Sequence, residues 1–178
     1  MERKNAWTTY DETDLARIGE ITRGYKAFLD AGKTERECVK AAIQLAEARG
    51  YGDLKRFVAE NRPVKPGDKL YCDCMGKAIL LFHVGAAPLT EGINIVGAHI
   101  DSPRMDLKQN PLYEDTDIAY LDTHYYGGIK KYQWVALPLA LHGVVAKKDG
   151  SVVDIVIGEE DDDPVVGISD LLIHLSAD

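Results

Sequence analysis

The chain is short of cysteine, of clustered positive charge and of long apolar runs, and each shortage closes off a class of function. Its three cysteines, Cys38, Cys72 and Cys74, are too few for a disulfide framework. Cys72-Asp73-Cys74 alternates within a strand-like run, so both thiols should share one face, but the second pair that a structural zinc site needs is missing. All three are therefore expected to be small buried residues in a reducing compartment. Lysine and arginine number 21 against 29 acidic residues, a net charge of −8 with no basic-aromatic stripe, and this argues against a nucleic-acid partner. Lys130-Lys131 and Lys147-Lys148 are isolated doublets that read as solvated turns. No apolar stretch approaches the roughly 20 residues that span a bilayer. The polar start, Glu2-Arg3-Lys4-Asn5, does not resemble a signal peptide. The expectation is a cytoplasmic protein with no membrane partner.

What is present is ordinary for a globular fold: 46% hydrophobic and 28% charged residues, in a length of 178 that suits one domain or parts of two. Two helices open the chain. The first is expected from Asp14 to Asp30, with Leu15, Ile18, Ile21, Tyr25, Phe28 and Leu29 forming a stripe at helical spacing. The second starts at Thr34, where Thr-Glu-Arg-Glu is a capping-box pattern, carries Cys38, Ala41, Ala42, Leu45 and Ala46 on its apolar face, and closes at Gly50. Both stripes should cover a sheet. A shorter helix follows from Asp53 to Glu60.

From Lys69 the period shortens to two. Leu70 to Cys74 and Ala78 to Val84 read as strands joined by a tight turn at Met75-Gly76-Lys77. Ile93 to Ala98 is almost wholly apolar, as expected of a strand buried on both faces. Leu107 to Thr116 is rich in polar residues and reads as a connector. Beyond it, Ile118 to Leu121, Trp134 to Val145 and Val152 to Ile157 have strand patterning, with turns at Gly127-Gly128 and Lys148-Asp149-Gly150. A short helix is expected from Ser169 to Leu175. The fold class is α/β, with a β-rich unit beginning near residue 110.

The chemistry concentrates in Gly97-Ala98-His99-Ile100-Asp101-Ser102-Pro103. A His and an Asp two residues apart at the end of a strand would lie on one face. One reading is an imidazole capped by a carboxylate, with no metal. The other is a metal ion on His99, with Asp101 holding the ring from behind. Three or four ligands are normally needed, and no other His or carboxylate shows a matching pattern. His83 and His142, flanked by apolar residues, read as satisfied core or strand histidines. His174 alone reads as a partly exposed helical residue, and Glu159-Glu160-Asp161-Asp162-Asp163 as a solvated loop. Tyr125-Tyr126-Gly127-Gly128 forms an aromatic turn that could line a substrate path, without the strand-loop-helix context of a phosphate-binding loop.

Three motifs in series resemble the aspartyl aminopeptidase family of two-metal exopeptidases, which includes vacuolar aminopeptidase I. They are the His99-Ile100-Asp101 segment, then Tyr126-Gly127-Gly128-Ile129 with Trp134, then Pro164-Val165-Val166-Gly167-Ile168-Ser169-Asp170-Leu171-Leu172-Ile173-His174-Leu175. The resemblance covers most of the chain, weakly before residue 65 and well after residue 90. It implies that residues 1–109 are the first part of an α/β/α zinc-peptidase catalytic domain and that residues 110–178 begin an inserted β-rich dimerisation domain. It implies His99 as a metal ligand, Asp101 as the catalytic carboxylate supporting its ring, and His174 as a further ligand or a residue reaching a neighbouring subunit's site. The cofactor implied is zinc, as two divalent ions in the complete enzyme, with cobalt or manganese as alternatives. The substrate implied is a peptide, with acidic N-terminal residues the usual preference, and the protein is expected to be a homo-oligomer.

The family's bridging Asp, Glu-Glu pair, further carboxylate and final His have no counterpart here. Glu159-Glu160 precedes His174, whereas the family's pair follows the corresponding His. The expectation is an incomplete front portion, inactive alone, with apolar faces at Leu70 to Val84 and Ile93 to Val96 left uncovered. Rival readings are a glutamyl-type aminopeptidase or a deacylase of the same metallohydrolase group, and a non-catalytic assembly module.

Overall fold

The structure is a computed structural model that describes residues 3–168. Two compact units divide between Ile100 and Asp101, and each is described by itself.

The first unit is built on α1 (Glu12–Ala31), α2 (Glu35–Glu47) and α3 (Leu54–Ala59), with β1 (Gly52–Asp53), β2 (Lys69–Cys74) and β3 (Ala78–His83). The capping box at Thr34 forms as its residues dictate. The Thr34 hydroxyl accepts from the Glu37 amide at 3.3 Å, and the Glu37 carboxylate accepts from the Thr34 amide at 2.8 Å. Asp11 and Asp14 make the same reciprocal pair at the start of α1. Gly50 takes φ +82°, which releases the chain from α2.

β2 is the central strand of its sheet, parallel to β1 and antiparallel to β3. The β2–β3 turn forms at Met75 and Gly76, both at positive φ, and the Asp73 carboxylate accepts from the Gly76 amide at 2.7 Å. The core sits where α2 meets β2: Cys38, Val39 and Ala46 on the helix and Leu70 and Tyr71 on the strand are buried. The Tyr71 hydroxyl donates to Glu47 at 2.8 Å. That bond, reinforced by burial, pushes the phenol up to about 12. Cys38 donates its Sγ–H to the Gly32 carbonyl at 3.4 Å, and burial, with Glu37 and Glu35 adding to it, raises its pKa. All three cysteines are free thiols, but only Cys38 is fully buried; Cys72 and Cys74 are half-buried.

Two further expectations for this unit fail. The α1 stripe is not covered: Leu15, Ile21, Tyr25 and Leu29 are exposed, and no α1 residue is buried. Ile93 to Ala98 forms no strand, and Ile93, Ile95 and Val96 are 65%, 81% and 98% exposed. A strand exists through its neighbours' backbone groups, and among the described residues no strand pairs with this run.

The second unit is a set of two-stranded ribbons. β4 (Arg104–Asp115) pairs antiparallel with β5 (Ile118–Tyr126), β6 (Pro138–Leu139) with β9 (Val166–Gly167), and β7 (Leu141–Ala146) with β8 (Val152–Ile157). The stretch expected to be a connector is thus most of a 12-residue strand. Its two-residue turn, Thr116-Asp117, has both residues at positive φ. Tyr113 and Tyr120, directly opposite, stack with ring centroids 5.3 Å apart. The register shifts between Leu107, opposite Thr123, and Leu112, opposite Leu121. Pro111, which has no N–H to donate, lies in that bulge. The segment from Trp134 to Val145 is not continuous strand: a short 3-10 turn over Lys131–Gln133 and the short β6 precede β7.

Candidate metal centre

His99 lies in an irregular stretch, residues 92–103, and is exposed. A Cβ at the neighbouring Gly97 would meet nothing within 4 Å, so the backbone is open on that side just before His99. Asp101 follows two residues later and is half-buried.

Around Asp101 the second unit is well defined. The Tyr126 hydroxyl donates to Asp101 Oδ2 at 2.8 Å. Tyr126 is the last residue of β5 and pairs directly with Arg104, the first of β4. The Arg104 guanidinium carbon lies 4.3 Å from the centre of the Tyr126 ring, and its Nε donates to Asp106 at 2.8 Å. Gly127, at φ +72°, turns the chain so that its Cα side faces Pro103, with a built Cβ 3.5 Å from that ring. The hairpin base thus fixes the phenol against the carboxylate.

The other sequence candidates lie elsewhere. His142 Nε2 is 2.9 Å from Glu159 Oε1, so this histidine is satisfied, as expected of a strand residue. His83 ends β3 in an exposed position. The acidic run is exposed but locally ordered: Asp163 Oδ2 accepts from the amides of Gly158, Glu159 and Glu160. His174, and the helix expected from Ser169 to Leu175, lie outside the described residues. Tyr126, expected in an aromatic turn that could line a substrate path, is the residue whose partner the sequence did not reveal. Its signal was the Tyr-Gly-Gly turn, usable only once the β4–β5 register is known.

Among the described residues, no three or more His, Cys, Asp or Glu side chains are grouped to hold a metal ion. The donor chemistry of this segment suits one ligand, the imidazole of His99, with a carboxylate near it in sequence.

A family model described as aminopeptidase I zinc metalloprotease (M18) matches residues 28–178. The chain belongs to the M18 peptidase family. It is 54% identical to a probable M18 family aminopeptidase 1 of Clostridium acetobutylicum over 99% of this chain and 38% of that protein. The crystal structure of an M18 aminopeptidase from Thermotoga maritima superposes with a TM-score of 0.86 at 43% identity, covering all of this chain and 38% of that one. A structure described as the S. cerevisiae mApe1 dodecamer shares the fold at 20% identity, with a TM-score of 0.70, over 87% of this chain and 36% of that one. The M18 fold of mixed helix and sheet is therefore common to this chain and its relatives. The chain spans about two-fifths of the length of the curated relatives it matches.

Proposed function

We propose that the chain forms part of a zinc-dependent M18 aminopeptidase, in which His99 is one metal ligand and Asp101 orients its ring. The observation that carries this reading is the exposed His99, with the half-buried Asp101 two residues on, lying within the stretch matched by a zinc metalloprotease family. Residues 1–109 belong to the catalytic domain and residues 110–178 to a β-rich dimerisation domain through which the protein forms homo-oligomers; the dodecameric yeast relative supports an oligomer. His174 acts as a further ligand or in a neighbouring subunit's site. The substrate is a peptide with a free N-terminus, an acidic first residue being preferred. His99, with His174 as a further candidate, would hold part of a site for two divalent ions, which would supply Lewis-acid polarisation of a carbonyl and activation of water near neutral pH. The part played by this segment is to present the neutral imidazole of His99 in a fixed tautomer, with its second ring nitrogen donating to Asp101.

The test is His99→Ala in the whole protein, read by zinc content and by hydrolysis of aminoacyl p-nitroanilides, with aspartyl and leucyl substrates compared. The expected outcome is loss of bound zinc and a fall in rate on the order of 100-fold or more, beyond the effect of losing a supporting residue. Full zinc occupancy with an unchanged rate would remove His99 from the site.

A further inference from the structure

We propose that Cys72 and Cys74 form a redox-active dithiol, which closes to a disulfide by exchange with a low-molecular-weight disulfide and reopens with a thiol. The pair lies wholly within the first unit, and nothing in the proposed peptidase chemistry uses it. The two residues are two apart on β2, so their side chains leave the same face of the sheet. Both are free thiols and half-buried, and Cys74 hydrogen-bonds the Cys72 thiol. Their contacts with the backbone are loose: Cys72 Sγ lies 4.0 Å from the Asp73 carbonyl oxygen, and Cys74 Sγ 3.9 Å from that of Cys72. The residues directly opposite on β3, Leu80 and Ala78, are exposed, so a small reagent can approach from this face. Cys38 makes the contrast. It is 5% exposed and donates to the Gly32 carbonyl, and its helix meets β2 through Tyr71, on the opposite face.

In the first step one cysteine thiolate attacks a sulfur of the external disulfide. That S–S bond breaks, and half of the reagent leaves as a thiolate. The second cysteine thiolate then attacks the cysteine sulfur of the mixed disulfide and expels the other half. The two cysteines lose two protons and two electrons in all, and the external disulfide is reduced to two thiols. Partial burial, with the neighbouring Cys74, raises the Cys72 pKa, so closing quickens as the pH rises above neutrality. An extended pair two residues apart spans roughly 6.6 Å between α-carbons, near the upper end of the range of about 4.4–6.8 Å for a disulfide. Closing therefore shortens β2 at its last rung, where Cys74 pairs with Ala78 across the turn at Met75 and Gly76. The end of a hairpin can yield in this way, whereas the rungs from Lys69 to Tyr71 stay paired.

The test equilibrates the whole protein in oxidised and reduced glutathione at several ratios, followed by acid quenching, denaturation, alkylation and peptide mass mapping. Trypsin releases both cysteines on one peptide, residues 70–77. At oxidising ratios this peptide should be two hydrogens lighter than the dithiol and take up no alkyl group, and dithiothreitol should restore both sites. Cys38 should be alkylated throughout. In C72S or C74S the remaining thiol should carry glutathione instead. Closing should also speed amide exchange over residues 72–80 and leave that of α2 unchanged. Alkylation of both thiols at every ratio, a glutathione adduct on wild type that never closes, or a bond to Cys38 would overturn the dithiol. A closed form with unchanged exchange over residues 72–80 would overturn the shortening of β2.

Discussion

The Asp163 carboxylate gathers three backbone amides, those of Gly158 at 2.7 Å and of Glu159 and Glu160 at 3.2 Å each. Those bonds favour the charged form and hold the group below its ordinary value of 3.8, the Gly158 amide being the largest cause. Because the folded state binds its proton less readily than the unfolded chain, the carboxylate stabilises the fold above about pH 4. That contribution is lost as the pH falls through the depressed value. Asp163→Asn mimics the protonated group, so its melting temperature should lie below that of wild type at pH 7 and converge with it as the pH is lowered to about 2. A gap of constant size across that range would mean that the charge is not what matters. The run was expected as a solvated loop and is exposed, but its internal order was not legible, since five adjacent acidic residues look only like mutual repulsion. What orders them is a single side chain reaching back over five residues, a geometry that composition does not encode. Tyr126 was hidden for a similar reason: its partner lies 25 residues away and is found only through strand register.

Elements with local signals were readable. The box at Thr34 and Glu37 closes as expected, and Thr34→Ala should cost about 1 kcal/mol, within a range of roughly 0.5–2 for lost N-caps. Urea unfolding monitored by circular dichroism measures this, and Thr34→Ser should recover most of it. A loss below about 0.3 kcal/mol would show that α2 is held by its packing on β2 alone. The strands β2, β3 and β8 also lie where their patterns put them. β4 was missed for a definite reason. Thr123 and Leu121 are two apart on β5 and so share a face, and their partners Leu107 and Leu112 are brought to that same face although five apart in the chain. The bulge breaks the two-residue period, and a strand with a broken period resembles a polar connector. Ile93 to Ala98 failed in the opposite direction: its composition is that of a doubly buried strand, yet pairing is not a property of a segment taken singly.

For the molecule as a whole, the patterning correctly described mixed helix and sheet, and among the described residues no helix is long and apolar enough to cross a membrane. Family membership was legible from three motifs in series, while the donor set of the candidate centre was not, because among the described residues no three metal-ligating side chains are grouped. The exposed run Ile93, Ile95 and Val96 has a consequence in solution. An unpaired apolar segment is a template for association. The 178-residue chain by itself should self-associate in a concentration-dependent manner, as followed by sedimentation velocity. The double substitution I95K/V96K should reduce that association without lowering the melting temperature, since neither side chain is packed. A monomer at every concentration, or a lowered melting temperature in the variant, would mean that this run is already engaged.

The slack in β4 sets where this hairpin can change its length. Residues 108–111 face only Asp122 on the opposite strand. Losing or gaining one amino acid there would be absorbed by the looped-out backbone. The same edit a few positions to either side would turn over each side chain between it and the nearest fixed pairing. Evolution could therefore lengthen or shorten this arm while leaving the Tyr126 end undisturbed.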